Sequence, residues 1–456
     1  MARDVSDATP IESRDQLVET IASGSKPPSQ WRVGTEHEKF GFFVDDFRPV
    51  PYGGDAGIRR LLEAMEGLLG WQPVTDKGNI IGLADPIGHG AISLEPGGQF
   101  ELSGAPLLTL HQTCREVNGH LAQLRECATP LGIGFLGLGA SPKWTRAETP
   151  AMPKSRYDIM ARYMPKVGGH GLDMMFRTCT IQANLDFSDE ADMTQKLRVG
   201  LALQPIVTAL FANSPFLEGK PNGFLSWRSQ VWLDTDGART GMLDFAFEEG
   251  FGFERYVDWA LDVPMYFVTR GDSYHDVAGA SFRDLMSGEL DELPGERATL
   301  TDWENHLSTI FPEVRLKNYL EMRGADGGTG RGICALPALW VGLLYDSVAL
   351  DAAWQIVKDW SRLERQNLRE TVPTMALKTP FRGGTVLDVA GQIVALARDG
   401  LSRRRFLNDD GDDETIFLPW LEEIVARGKT PAEYLLDEFD SDWNGDINEL
   451  FRRHAY

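Results

Sequence analysis

Three segments far apart in the chain set an acidic side chain two residues from another acid, an amide or an arginine, and this pattern restricts the fold more than any other feature. Segment 34–40 carries Glu36 and Glu38, segment 93–101 carries Glu95, Gln99 and Glu101, and segment 319–323 carries Glu321 and Arg323. On a β-strand, side chains at i and i+2 point to the same face. As strands, these segments therefore turn Glu36 with Glu38, Gln99 with Glu101, and Glu321 with Arg323 to common faces. Carboxylates crowded on one face repel unless a cation lies among them, and hard oxygen donors suit Mg²⁺ or Mn²⁺. Apolar residues or glycines flank all three segments, which favours a sheet with its acids turned into a site. The other arrangement that parity allows is a solvated face with an ion-pair ladder.

The surrounding pattern predicts an α+β chain. Short strands are expected at 31–44, within 71–102, at 132–139, from 174 to 187 and from 315 to 323. Helices are expected at 12–23, 55–69 and 106–130, and at 189–213 with a break at Pro205. In the 106–130 segment, Leu107, Leu110, Cys114, Val117, Leu121, Leu124 and Ala128 recur at helical spacing. The order lacks a βαβα rhythm, so the sheet is expected to be antiparallel. No long Gly/Ser/Pro linker divides the chain. One catalytic domain over 1–456 is expected, sheet-rich over about 31–330 and mostly helical over about 335–456.

The net charge of −22 argues against nucleic acid or an anionic membrane as partner. No apolar run approaches the roughly 18–20 residues of a membrane span. The first ten residues lack the apolar core of a secretory signal and carry acids, which points to a cytoplasmic protein. Four cysteines without C-x-x-C spacing fit a reducing compartment better than a zinc site. Two short motifs mislead. Gly132-Ile-Gly134-Phe-Leu-Gly137 follows a helix instead of opening one, so it is no dinucleotide fingerprint. The acidic run 440–446 has Phe451 where a calcium loop needs glutamate.

The remaining polar residues narrow the chemistry. Gln182 and Asn184 share strand parity with Asp186 and could complete an oxygen cage. Arg177 precedes that strand, Arg228 and Arg239 flank Trp232, and Arg315, Lys317 and Arg323 share parity with Glu321. The arginine fork fits carboxylate or phosphate at two points. Cations beside metal-binding acids suit a triphosphate held through metal ions, with Arg315 and Lys317 toward ATP. The chain has no P-loop motif, no serine elbow and no H-E-x-x-H. These features suggest that a substrate carboxylate attacks the γ-phosphate of ATP and that an amine captures the resulting acyl phosphate.

Six segments make the chain resemble the plant and proteobacterial glutamate–cysteine ligases: 34–41 (Gly-Thr-Glu-His-Glu-Lys-Phe-Gly), 93–104, 173–187, 232–241, 253–267 and 311–326, within a similarity running from about 31 to 346. The resemblance implies a glutamine-synthetase-like antiparallel sheet curved around the site, flanked by helices. It implies ATP-dependent joining of the γ-carboxyl of L-glutamate to the amine of L-cysteine, the first step of glutathione synthesis. Carried over by motif, Glu36, Glu38, Glu95, Glu101, Gln182, Asn184 and Glu321 would hold Mg²⁺, with Mn²⁺ as a substitute. Arg323, with Glu321, would serve the transferring phosphate. Arg239 is the candidate for the glutamate α-carboxylate, followed by Arg228 and Arg177. Cys179 and Cys334 stand in segments resembling one redox-regulatory pair of the plant enzymes. The other pair is missing, because 274–277 and 290–295 contain no cysteine. That departure argues against thiol-controlled dimerisation and leaves monomer and homodimer open. A ligase using another amine, a metal-dependent hydrolase and, last, a non-catalytic glutamate- or nucleotide-binding sensor are the alternatives.

Overall fold

A computed structural model describes residues 8–271 and 273–456. Residues 1–7, part of the segment read above for a targeting signal, lie outside the described residues. Nine strands build the main sheet: β1 (Val33–Phe43), β2 (Gln72–Asp76), β3 (Asn79–Ala84), β4 (Ala91–Leu94), β5 (Phe100–Ser103), β6 (Ile133–Leu136), β7 (Thr180–Leu185), β8 (Val314–Leu316) and β9 (Leu320–Asp326). Their order is β8-β9-β7-β1-β5-β4-β3-β2, with β6 on the second half of β1. Every pairing in this sheet is antiparallel. The sheet is open, and its antiparallel pairing is what the absence of a βαβα rhythm predicts.

The helices that position the site are α1 (Leu110–Ala128), α2 (Ser155–Tyr163), α3 (Glu190–Leu210), α4 (Trp227–Trp232), α5 (Gly330–Leu344), α6 (Val386–Arg404), α7 (Pro419–Arg427) and α8 (Pro431–Ser441). Period-two alternation divides the strands between two environments. Ile181, Ala183 and Leu185 of β7 and Leu320 and Met322 of β9 enter the main core with α3 and α5. Gln182, Glu321 and Arg323 are therefore turned to the opposite face. No single described helix is long and apolar enough to cross a membrane.

Three local expectations change. The segment 174–187 is not one strand: Gly171–Arg177 is a helix, and β7 begins at Thr180. Its Met-Met-Phe run suits either period, and Arg177 pairs back to Asp173 four residues earlier at 3.3 Å, a helical spacing. The segment 315–323 is a hairpin, with β8 and β9 joined through Lys317-Asn318-Tyr319. Finally, α3 runs unbroken through Pro205. A proline inside a helix costs about 3 kcal/mol. Its neighbours Leu203, Ile206 and Val207 are fully buried, and each such side chain gains roughly 1.5–3 kcal/mol on burial, which offsets that cost.

Candidate active site

Strand register gathers the acids that parity alone could only place on separate faces. Glu38 of β1 stands opposite Glu101 of β5, which stands opposite Ser93 of β4. One step along, Glu36 stands opposite Gln182 of β7. Asn184 of β7 stands opposite Glu321 of β9, which faces Arg315 of β8. Gly34 is the partner of Asn184 on β1, and a side chain there would press on the asparagine at 3.3 Å. Glu95 enters from the turn between β4 and β5, where its N–H donates to the Gln99 carbonyl at 3.0 Å.

Three cavities meet at these acids. A central one of about 120 Å³ is lined by Glu36, Glu38, Glu95, Glu101, Glu321 and the cations Arg156, Arg315, Lys317 and Arg323. Glu36 also borders a wider cavity of about 380 Å³ with Asn184 and Tyr319. Glu38 and Glu95 border a third, of about 90 Å³, with Met174, Arg228, Trp232 and Phe311. The acids thus stand between two compartments.

Their electrostatics follow from this crowding. Burial first, then Glu321 and Glu101, push the Glu36 carboxyl up to about 7. Burial, Glu95 and Glu101 raise Glu38 well above the usual carboxylate range. Glu101 stays low despite its burial, helped by the Ser93 hydroxyl and by a hydrogen bond shared with Glu36. Asn184 Nδ2 donates to Glu36 Oε1 at 2.8 Å, while its Oδ1 is buried without a partner. Thr180 N–H donates to Glu38 Oε2 at 3.0 Å.

The cations divide into fixed and available ones. Arg315 grips Glu321 with both arms, at 2.5 and 2.9 Å, and gives its third nitrogen to the Ser308 and Ile310 carbonyls. It anchors Glu321 while still lining the central cavity. Glu321 also receives Arg323 at 3.0 Å and stands 3.6 Å from Lys317. Burial alone would raise Glu321, but these three cations hold it well below the carboxylate range. In this arrangement it organises cations more directly than it offers oxygens to a metal. Gln182 likewise accepts from Arg323, at 2.9 Å.

Arg239, the expected glutamate anchor, is fully buried elsewhere. It donates to Asp236 at 2.6 Å and to the Thr309 and Pro264 carbonyls at 3.1 and 2.7 Å, and stacks on Tyr266. Three of its five N–H donors are thus committed to the protein interior, and it lines none of the three cavities. Arg177 pairs with Asp173 and Glu218 and lines none of the three cavities. Arg228 does line the third, held by its bond to the Arg323 carbonyl at 2.9 Å. Sequence reasoning missed Arg156 and Tyr157 on α2. Tyr157 donates to Glu95 Oε1 at 3.2 Å, and the Arg156 Nε has no partner. Segment 151–163 carries no acid repeat to draw attention to them. The expected Cys179–Cys334 pair is also corrected. All four cysteines are free and buried; Cys334 lies beside Cys114, whereas Cys179 lies near Glu38 and Lys39.

The fold is that of the carboxylate–amine ligases. It superposes on glutamate–cysteine ligase from Francisella tularensis, solved in complex with AMP, with a TM-score of 0.54 at 12% identity, over 90% of this chain and 85% of that one. Residues 32–453 match glutamate–cysteine ligase family 2 (GCS2). The chloroplastic glutamate–cysteine ligase of Nicotiana tabacum is 58% identical over 449 residues, 98% of this chain and 84% of that protein. That of Arabidopsis thaliana is 56% identical over the same shares. Chloroplastic glutamate–cysteine ligase B of Oryza sativa subsp. japonica is 56% identical over 97% of this chain and 87% of its own length. The chain belongs to glutamate–cysteine ligase family 2. The chloroplastic relatives overturn the cytoplasmic placement expected from the sequence.

Proposed function

We propose that this chain joins the γ-carboxyl of L-glutamate to the amine of L-cysteine with hydrolysis of ATP to ADP and phosphate, the first step of glutathione synthesis. The observation that carries the reading is the row of acids standing between two compartments. The wider compartment, beside Glu36 and Asn184, has room for a nucleotide. The other offers Arg228 and Trp232 to an amino acid.

The residues present fit a divalent ion. Glu36, Glu38, Glu95 and Glu101 form an all-oxygen donor set, and the orphaned Asn184 Oδ1 extends it. Among the described residues, no three acids, histidines or cysteines already stand at metal-holding distances, so these donors would close on the ion. Magnesium or manganese, when bound, supplies charge that stabilises a transferring phosphoryl group. Lys317 and Arg323, kept in place by Glu321, present cations to the same phosphate. Arg228 and Arg156 hold and orient the glutamate, so that its γ-carboxylate oxygen attacks the γ-phosphorus and ADP leaves. The cysteine nitrogen then attacks the acyl carbon, phosphate leaves, and the nitrogen gives up its proton.

Two measurements test these roles. Arg228→Ala should raise the glutamate KM at least tenfold while the KM for ATP changes little. An unchanged glutamate KM would move the amino-acid pocket elsewhere. Glu36 and Glu38 carry raised pKa values, so below about pH 7 Glu36 is protonated and offers a poor ligand. Mg²⁺ affinity should therefore rise from pH 6 to 8, with protons released. Calorimetric titration at pH 7 in buffers of different ionisation heat should show that release, and identical heats would remove these acids from the metal site.

A further inference from the structure

A fourth cavity, of about 310 Å³, lies beyond the far end of β9, between the start of α5 and helices α7 and α8. It shares no lining residue with the three cavities of the acid site. Its volume is that of a small-molecule site, and its walls are mainly apolar: Phe211, Ile424 and Leu435 are nearly fully buried, and Trp420 completes the wall. The Trp420 and Phe211 rings lie 5.2 Å apart. Gly332 faces the Trp420 ring, where even a methyl group would stand 3.4 Å away.

Two polar groups at this cavity, one buried and one exposed, have hydrogen-bonding or charge capacity that no neighbour takes up. Asn213 is 8% exposed. Its Nδ2 donates to the Gly137 and Gly327 carbonyls at 3.2 and 2.9 Å, which leaves Oδ1 as an unused acceptor at the cavity. The second is Arg331, in the first turn of the 15-residue helix α5. The neighbouring Arg427 is neutralised by Glu423 at 2.7 Å, but among the described residues Arg331 has no carboxylate partner. The Thr329 side chain leaves the start of α5 uncapped, so first-turn N–H groups add to the positive end.

We propose that this cavity is a second ligand site, for a flat aromatic anion that carries an N–H donor. The ring lies on Trp420 and Phe211, the N–H reaches Asn213 Oδ1, and the anionic group meets Arg331. This site does not rest on the ligase reading.

Indole-3-carboxylate, with neutral indole as control, tests it by calorimetric titration of the full chain. The carboxylate should bind saturably at one site per chain and lose at least tenfold in affinity in Arg331→Ala, a change at an exposed position. Indole should bind more weakly and equally to both proteins. Carboxylate affinity should be unchanged in Glu38→Gln, which alters the other site. Absence of saturable binding, equal affinity in Arg331→Ala, or loss of binding in Glu38→Gln would each overturn the proposal.

Discussion

Glu321→Ala should lose both stability and turnover. The carboxylate is buried and meets Arg315 at two points, Arg323 at 3.0 Å and Lys317 at 3.6 Å. Removing one partner of a buried ion pair leaves uncompensated charge, a cost of about 3–5 kcal/mol. Arg315 keeps its two carbonyl acceptors, but Arg323 keeps only Gln182 and is free to swing. Thermal unfolding should shift clearly downward, and ADP release should fall by at least two orders of magnitude. Glu321→Gln retains acceptor geometry without the charge and should recover part of the stability. Wild-type unfolding of Glu321→Ala would show that the cation cluster does not depend on this residue.

Glu38→Gln should separate the two properties. Glu38 stands among Glu95 and Glu101, and their repulsion, after burial, raises its pKa. Glutamine keeps an oxygen for the Thr180 N–H and removes the repulsion, so the melting temperature should hold or rise. The charge needed to hold a cation is lost. Because metal stabilisation of phosphoryl transfer is worth several kcal/mol, turnover should fall by roughly 10²–10³-fold. A variant that unfolds early, or turns over normally, would contradict the account of this acid. Opposite stability effects of the two substitutions would reflect their surroundings: Glu321 is paired with cations, whereas Glu38 stands among other acids.

Parity made Glu36, Glu38 and Glu101 legible in the sequence, because strand alternation depends only on the local backbone. Register was not legible: that Glu38 faces Glu101, or that Glu36 faces Gln182, depends on which strands become neighbours. Arg315 reached the face of Glu321 by a different route from the one expected. They are cross-strand partners around a turn that lacks glycine and proline. The surroundings of Arg239 were not legible either: a motif names the residue, but that its guanidinium ties three segments together in the interior depends on long-range packing. Arg156 stayed hidden because nothing in a short helix's own sequence says which cavity it borders. The cysteines show the same limit. Spacing cannot tell that α1 packs on α5 and brings Cys114, not Cys179, to Cys334.

ADP release from ATP and Mg²⁺ should be measured with L-glutamate, with and without L-cysteine, and the product identified by mass. The account predicts that sustained ADP release requires the metal and both amino acids, with one γ-glutamylcysteine formed per ADP. ADP release without L-glutamate, or none when all components are present, would contradict it.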